Sequence, residues 1–408
     1  MRRYLVLMHR YVGLVIALFL LVASLTGSLL AWNDELEALI SPQLFVAKPP
    51  APGAAMLDPL QLRDQVQAQY RHTFVPRVLL QLEAERSVKF RLYALPDPKT
   101  GKTPELANDE VFVNPYTGAV QGERKFGALS QGLVNLMPFI YALHDSLALG
   151  RAGTILLGVV ALLWSIDCVT AIFLTFPART RSASATPWWQ RWRQSWQVRW
   201  RGGEYKRYFD LHRAGSLWLW AALFVIAWSS VSFNLRPVYD ASMQALLAYQ
   251  PEETPPRLAR PLLRPPIDWE QARSMARDSM AQHARAQGFR IFGEYMLIYN
   301  PLIGRYSYYV QTDRDVSQRW GITHITIDAS SGVQSPVWLP TGAAAGDTFR
   351  TWITTLHMAA RWGLPMQSFM SLCGLGIAML CVTGVWIWAR KRRSRRIAAS
   401  RAGDAVRV

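Results

Sequence analysis

Seven histidines are spread over 408 residues, and four of them stand where chemistry is expected. His9 and His212 lie near the starts of two long apolar stretches, and His144 and His357 lie just ahead of two others. An ionisable side chain at membrane depth is costly and needs a polar partner or a ligand. A lone histidine of this kind is usually a hydrogen-bonded packing residue. Four of them, matched by position, point to a cofactor. Two imidazoles facing each other from different helices are the usual axial pair of a b-type haem, which fits between the helices of a bundle. Pairing by membrane side puts His9 with His212 and His144 with His357, so two haems stacked across the bilayer are expected, and with them an electron path. No Cys-x-x-Cys-His stretch occurs, which argues against covalent c-type attachment. A bare metal ion is the alternative ligand; Asp145, beside His144, is the one nearby carboxylate that would suit it.

Arginines accompany each histidine. Arg10 and Arg213 follow His9 and His212 directly, and Arg151 and Arg361 lie one or two turns past His144 and His357. They suit haem propionates, or they are interfacial anchors that snorkel to the membrane surface. Trp164, Trp228 and Trp386 are placed either between the haems or in ordinary packing. Asp167 is read as a pairing residue, with proton or quinol binding as the alternative. His72, His283 and His324 follow no partner pattern.

These residues need a membrane frame. Tyr4–Trp32, Ala152–Phe176, Ala214–Phe233 and Met366–Ala389 each reach the roughly 20 residues that span a bilayer core. The first is too long for a signal-peptide core and lacks a small-x-small site after it. With 50% hydrophobic and 18% charged residues, the chain is not disordered. Lys and Arg outnumber Asp and Glu 45 to 28, and position explains the excess. Arg2, Arg3 and Arg10 open the chain, the loop up to Arg213 is rich in arginine, and a basic cluster starts at Arg390. The two long segments between the stretches are nearly balanced. The positive-inside rule therefore places both termini and the middle loop in the cytoplasm and leaves the two long segments on the other side of the membrane. The basic surplus meets anionic lipid, and nucleic-acid binding is not expected. Cys168, Cys373 and Cys381 all fall in membrane stretches, so no disulfide is expected.

The chain also repeats itself. Leu143-His144 recurs as Leu356-His357, and Cys168-Val-Thr-Ala171 recurs as Cys381-Val-Thr-Gly384. Met8-His9-Arg10 recurs as Leu211-His212-Arg213, and the turn Asn114–Gly118 as Asp328–Gly332. Each half reads as helix, outside domain, helix, a parallel internal repeat. The expected order is transmembrane helix 1 over 1–32, a periplasmic domain over 33–135, and an interfacial helix with transmembrane helix 2 over 136–176. A cytoplasmic basic loop covers 177–208, transmembrane helix 3 covers 209–233, and a second periplasmic domain covers 234–346. An interfacial helix with transmembrane helix 4 spans 347–390, and a basic tail spans 391–408. Helical periodicity over Asp58–Tyr70 and Trp269–Gln287, then alternating strands at Val88–Leu95, Glu110–Val113, Glu294–Tyr299, Tyr306–Gln311 and His324–Ile327, make each outside domain a small α+β unit. The fold class is thus a membrane α-helical bundle of four helices with two extracytoplasmic α+β domains.

Met8-His-Arg-Tyr-Val-Gly13, Ala23–Gly27, the two Leu-His pairs and Cys381–Gly384 resemble the PepSY-associated transmembrane family of iron-regulated inner-membrane proteins, and the two turns resemble the end of PepSY-like domains. The resemblance implies a di-haem ferric-siderophore reductase of the FoxB type, which moves electrons from the cytoplasmic side to periplasmic iron. It makes His9, His212, His144 and His357 the axial ligands of two b-type haems. The sequence departs from the family's His-Arg-x-x-Gly start at helix three, where Gly215 stands one place early. No Gly-x-Gly-x-x-Gly loop is present, so electrons are expected from a quinol or a cytoplasmic reductase. The aromatic Tyr295–Tyr309 strands and Trp320 are the expected docking surface for the siderophore. A non-enzymatic PepSY-domain regulator and a haem carrier are the competing readings.

Overall fold

The computed structural model describes residues 2–96, 102–178, 186–251 and 255–405. Arg179 and Arg181 of the basic loop and Arg407 of the tail lie outside them. The helices are α1 (Arg2–Leu30), α2 (Asn33–Ile40), α3 (Pro42–Phe45), α4 (Pro59–Gln69), α5 (Leu136–Ser146) and α6 (Gly150–Thr175), then α7 (Trp188–Arg193), α8 (Glu204–Asn234), α9 (Arg236–Gln244), α10 (Trp269–Gln287), α11 (Ala345–His357) and α12 (Leu364–Ala405). The strands are β1 (Thr73–Phe74), β2 (Arg77–Leu79), β3 (Val88–Arg91), β4 (Tyr93–Ala94), β5 (Glu110–Val113), β6 (Val120–Arg124), β7 (Ile291–Asn300), β8 (Arg305–Thr312) and β9 (Thr323–Asp328).

Four helices, α1, α6, α8 and α12, are long and apolar enough to cross a membrane. Lipid offers backbone groups no partner, so an apolar run of this length satisfies its own hydrogen bonds as a helix. The four close a ring in which α1 and α8 each pack against both α6 and α12. Side-chain hydrogen bonds lock the α1–α12 seam: Trp32 Nε1 donates to Ser371 Oγ at 2.8 Å, and Ser371 Oγ donates to the Ser28 carbonyl at 3.0 Å. Two helices outrun their apolar cores. α8 starts at Glu204, ahead of the expected 209, and α12 continues into the basic tail. Lys and Arg are good helix formers, so loss of hydropathy ends the span without ending the helix.

α5 and α11 carry His144 and His357 and stop just past them. The turns that follow hold non-glycine residues in the left-handed region: Leu147 (φ 52°) and Ala148 (φ 56°) after α5, Ala359 (φ 50°) and Trp362 (φ 63°) after α11. Each such residue costs on the order of 1–3 kcal/mol. Their positions differ between the halves, whereas Gly150 (φ 57°) and Gly363 (φ 56°) stand at equivalent places in the two turns. The turns redirect the chain from the histidine helices into α6 and α12.

Outside the bundle, the described residues form two larger sheets, β3-β5-β6 and β2-β7-β8-β9, and a two-stranded one, β1-β4. Leu62, Val66, Phe90, Val111 and Val113 fill the core of the first; Met280, Leu297, Tyr306, Tyr308 and Ile325 lie in that of the second. The two outside segments also share a sheet. β2 belongs to the first segment yet pairs antiparallel with β7 of the second, with Val78 opposite Leu297. Both side chains are fully buried, so the crossover extends the second core and covers the edge of β7. Arg273 on α10 strengthens the joint, donating to Asp58, the cap of α4, at 2.9 Å and to Glu294 at 2.7 Å. Burial alone would raise the Glu294 pKa; Arg273 and Arg277, with the Tyr308 hydroxyl, overcome it and hold the carboxyl below its ordinary value.

Strand alternation divides the aromatics of the expected docking surface between two faces. Tyr299, Tyr306 and Tyr308 point inward and are buried in the core that holds Trp269, while Tyr295, Tyr309 and Trp320 remain half-buried elsewhere. Period-two packing puts Tyr306 and Tyr308 on the inner face and Tyr309 on the other, where its ring lies against His324 and that of His324 against Trp338. In the first segment the buried Arg124 side chain donates to Glu37 of α2 and to Glu110 of β5, each at 2.7 Å. That link fastens the chain leaving α1 to the first sheet.

Candidate functional site

The bundle brings the four histidines together as two pairs. His9 on α1 and His212 on α8 have ring centroids 6.1 Å apart, inclined at 56°. His144 on α5 and His357 on α11 have centroids 6.3 Å apart, inclined at 73°. Thr26 and Ser229, which touch the second pair, lie on the same helices as His9 and His212 but about 25 Å further along at 1.5 Å per residue. The pairs therefore sit toward opposite ends of the bundle. Between them lies an apolar cluster built on Cys168, Leu223 and Ile377, with Trp164 packed against it. Trp228 instead packs on Tyr239, and Trp386 on Tyr205 and Tyr208.

Every ring is held through Nδ1. His144 Nδ1 donates to the Ala23 carbonyl at 2.9 Å and lies 3.2 Å from Thr26 Oγ1. His212 Nδ1 donates to the Leu380 carbonyl at 3.1 Å and lies 3.1 Å from Thr383 Oγ1. His357 Nδ1 is 2.7 Å from Ser229 Oγ, whose own hydrogen is directed to the Val225 carbonyl at 2.7 Å, leaving the oxygen to accept. His9 Nδ1 is 2.9 Å from both carboxylate oxygens of Asp167. A carbonyl only accepts, so the hydrogen sits on Nδ1 and the lone pair on Nε2, the form in which imidazole binds a metal. Orientation of a ligand ring through its second nitrogen is the usual outer support of a histidine-ligated metal.

Glycines make room. A Cβ on Gly27 would lie 2.9 Å from His144 Cε1, and one on Gly384 would lie 3.1 Å from His212 Cε1. The Thr-Gly steps at Thr26-Gly27 and Thr383-Gly384 thus seat a ring and bond it at once. These hydroxyls, together with Ser229 and the Leu380 carbonyl, had no role assigned from the sequence; the repeated Thr-Gly step was the one signal that marked them. Gly13, one turn past His9 on the same face, has open space beside it. Gly215 faces Met379 and Leu380 of α12 instead, so it serves helix packing, and Ser216 occupies the place equivalent to Gly13.

The pairs fit an iron porphyrin. Two metal–imidazole bonds of about 2 Å, plus the step from each nitrogen to its ring centre, add to roughly 6 Å. Among the described residues no group of three or more His, Cys, Asp or Glu is placed to hold a metal ion, and a porphyrin brings its own four equatorial nitrogens. The expected arginines divide. Arg213 donates to Asp210 and to the Gln194 carbonyl, both at 3.0 Å, and Arg361 donates to the Val316 carbonyl at 2.7 Å. Both keep a buried Nε with no partner, a donor left for an acidic group. Arg10 lines a basic cleft with Arg2, Arg3 and Arg395, and Arg151 is exposed at the start of α6.

Comparison with curated proteins gives no match. The family model of the PepSY-associated TM region matches residues 6–391. That span runs from just ahead of His9 to just past the end of the apolar part of α12, so it takes in both histidine pairs and the sheets outside the bundle. The chain is a membrane protein, and it belongs to the family of the PepSY-associated TM region.

Proposed function

We propose that this protein is a di-haem membrane reductase that passes electrons from the cytoplasmic side to a ferric siderophore in the periplasm. The observation that carries this reading is the pair of imidazole pairs, 6.1 and 6.3 Å apart, each ring held by Nδ1. Haem iron, when bound, takes up and gives back one electron. The chain's share is to supply Nε2 lone pairs from fixed rings, to keep water out with the apolar cluster around Cys168, and to set the two sites at opposite ends of the bundle. Charge supports reading the His9 end as the cytoplasmic one: Arg2, Arg3 and Arg10 of α1, Arg191 and Arg193 of α7 and the basic end of α12 from Arg390 belong to that end. Arg213 and Arg361, each with a buried Nε that has no partner, are the arginines that would hold propionates in this reading.

At the His144 end the second outside domain touches the histidine turn directly. Gln318 N donates to the Ala360 carbonyl at 2.8 Å, and Trp362 N donates to Gln318 Oε1 at 2.8 Å. A siderophore docked by this loop would receive its electron there. Fe²⁺ is a weaker partner than Fe³⁺ for hard oxygen ligands, so one electron loosens the complex without acid–base catalysis. The visible spectrum of the purified protein tests the reading. Soret and α bands, reduced by dithionite and reoxidised by a ferric siderophore, are expected. A colourless protein from haem-replete cells would leave the histidines as packing residues, and coloured protein that a ferric siderophore cannot reoxidise would point to haem carriage.

A further inference from the structure

The two halves differ in the residue that backs the first histidine of each. Asp167 on α6 and Leu380 on α12 occupy equivalent places, one residue before the paired cysteines Cys168 and Cys381. At Leu380 the backbone carbonyl takes the His212 Nδ1 hydrogen. At Asp167 a carboxylate takes that of His9, with both oxygens at 2.9 Å. Asp167 is buried in a membrane helix, where a charge is expensive, and His9 is its one hydrogen-bond partner among the described residues. The other rings lean on neutral groups: Ala23 O and Thr26 for His144, Leu380 O and Thr383 for His212, Ser229 for His357. A single anionic support thus falls on one of the two sites.

We propose that Asp167 is a positioning residue that makes the His9–His212 site the lower in potential of the two. The inference rests on the haem reading above. A carboxylate accepting the Nδ1 hydrogen pushes electron density through the ring to Nε2 and raises ligand basicity. A more basic ligand stabilises ferric over ferrous iron. Sharing of one electron between the sites then favours the His144–His357 end, the outward direction. No proton leaves Asp167 or His9 in this account; the carboxylate acts through the hydrogen bond alone.

A redox titration of the full-length, haem-loaded protein, followed in the visible bands, tests this. Wild type should show two midpoints. Asp167→Asn and Asp167→Leu should raise the lower one by at least tenfold in reduction constant, about 59 mV for one electron, and leave the higher one in place. Asp167→Leu gives half one the side chain of half two, so it serves if the amide variant fails to assemble. Asp167→Glu keeps the charge and should restore the low midpoint. Two bound haems with unmoved midpoints in both neutral variants, or movement of the higher midpoint instead, would overturn the role of Asp167 and leave the haem reading standing. A wild type without haem would overturn both.

Discussion

His144 and His357 stand 213 places apart in the chain, and their rings meet at 6.3 Å with an angle of 73°. They arrive on two short helices, α5 and α11, each ended by a turn with left-handed, non-glycine residues. Both halves thus follow the histidine helix with a turn that holds left-handed residues, and Gly150 and Gly363 occupy equivalent places in it. In the haem reading proposed above, removing either partner would take away one of the two imidazoles that would hold an iron. His144→Ala and His212→Ala are each expected to lower the haem-to-protein ratio from two to about one, because each proposed site would rest on a pair of imidazoles. Pyridine haemochrome analysis of the purified variants measures it, and an unchanged ratio would refute the pairing.

The hydroxyl supports should act through affinity. Ser229→Ala removes the acceptor of His357 Nδ1. Loss of such an outer partner typically weakens metal binding by about 10–100-fold. Haem transfer to an apo-acceptor should therefore run faster from this variant, and from the His144–His357 site alone. Equal retention by wild type and variant would show that Ser229 does not orient the ring.

Gly27 gives a steric test at the same site. Any side chain there would bring its Cβ to 2.9 Å from His144 Cε1, inside the ring's contact distance. Gly27→Val should push the ring aside and cost about 1–3 kcal/mol of stability through overpacking. Haem content should fall toward one per chain while the His9–His212 spectrum persists. A fully loaded Gly27→Val protein would mean that the ring does not need its present seat.

The outside domains carry a pH-dependent element. Burial alone would raise the Glu110 pKa, but Lys89 and Arg124, together with Arg91, hold it below the ordinary 4.5. A lowered folded-state pKa means that the stabilisation is complete above about 4.5 and fades as acid takes the pH through the lowered value. Arg124→Met strands Glu37 and Glu110 without their shared partner and should destabilise the first sheet by about 3–5 kcal/mol. Thermal unfolding across a pH series checks both points: the variant should unfold earlier at neutral pH and lose less than wild type on acidification. A flat difference across pH would remove Glu110 from the account.

Much of this protein is legible along the chain because its determinants are local. Hydropathy over a span's length marks α1, α6, α8 and α12; alternation marks β7, β8 and β9; and the offset between Leu143-His144 and Leu356-His357 matches the histidines into pairs. Each of these signals is a spacing that chain order preserves. What surrounds the rings is of another kind. That Thr26 and Ala23 serve His144, that Asp167 backs His9 where a leucine carbonyl backs His212, and that β2 leaves its own segment to pair with β7 depend on which helix or strand becomes whose neighbour. Arg213 and Arg361 show the same dependence, since both find carbonyl partners that no motif announces. Periodicity says which face of an element is apolar; only packing in three dimensions decides whose hydroxyl, carbonyl or carboxylate arrives within about 3 Å of a nitrogen.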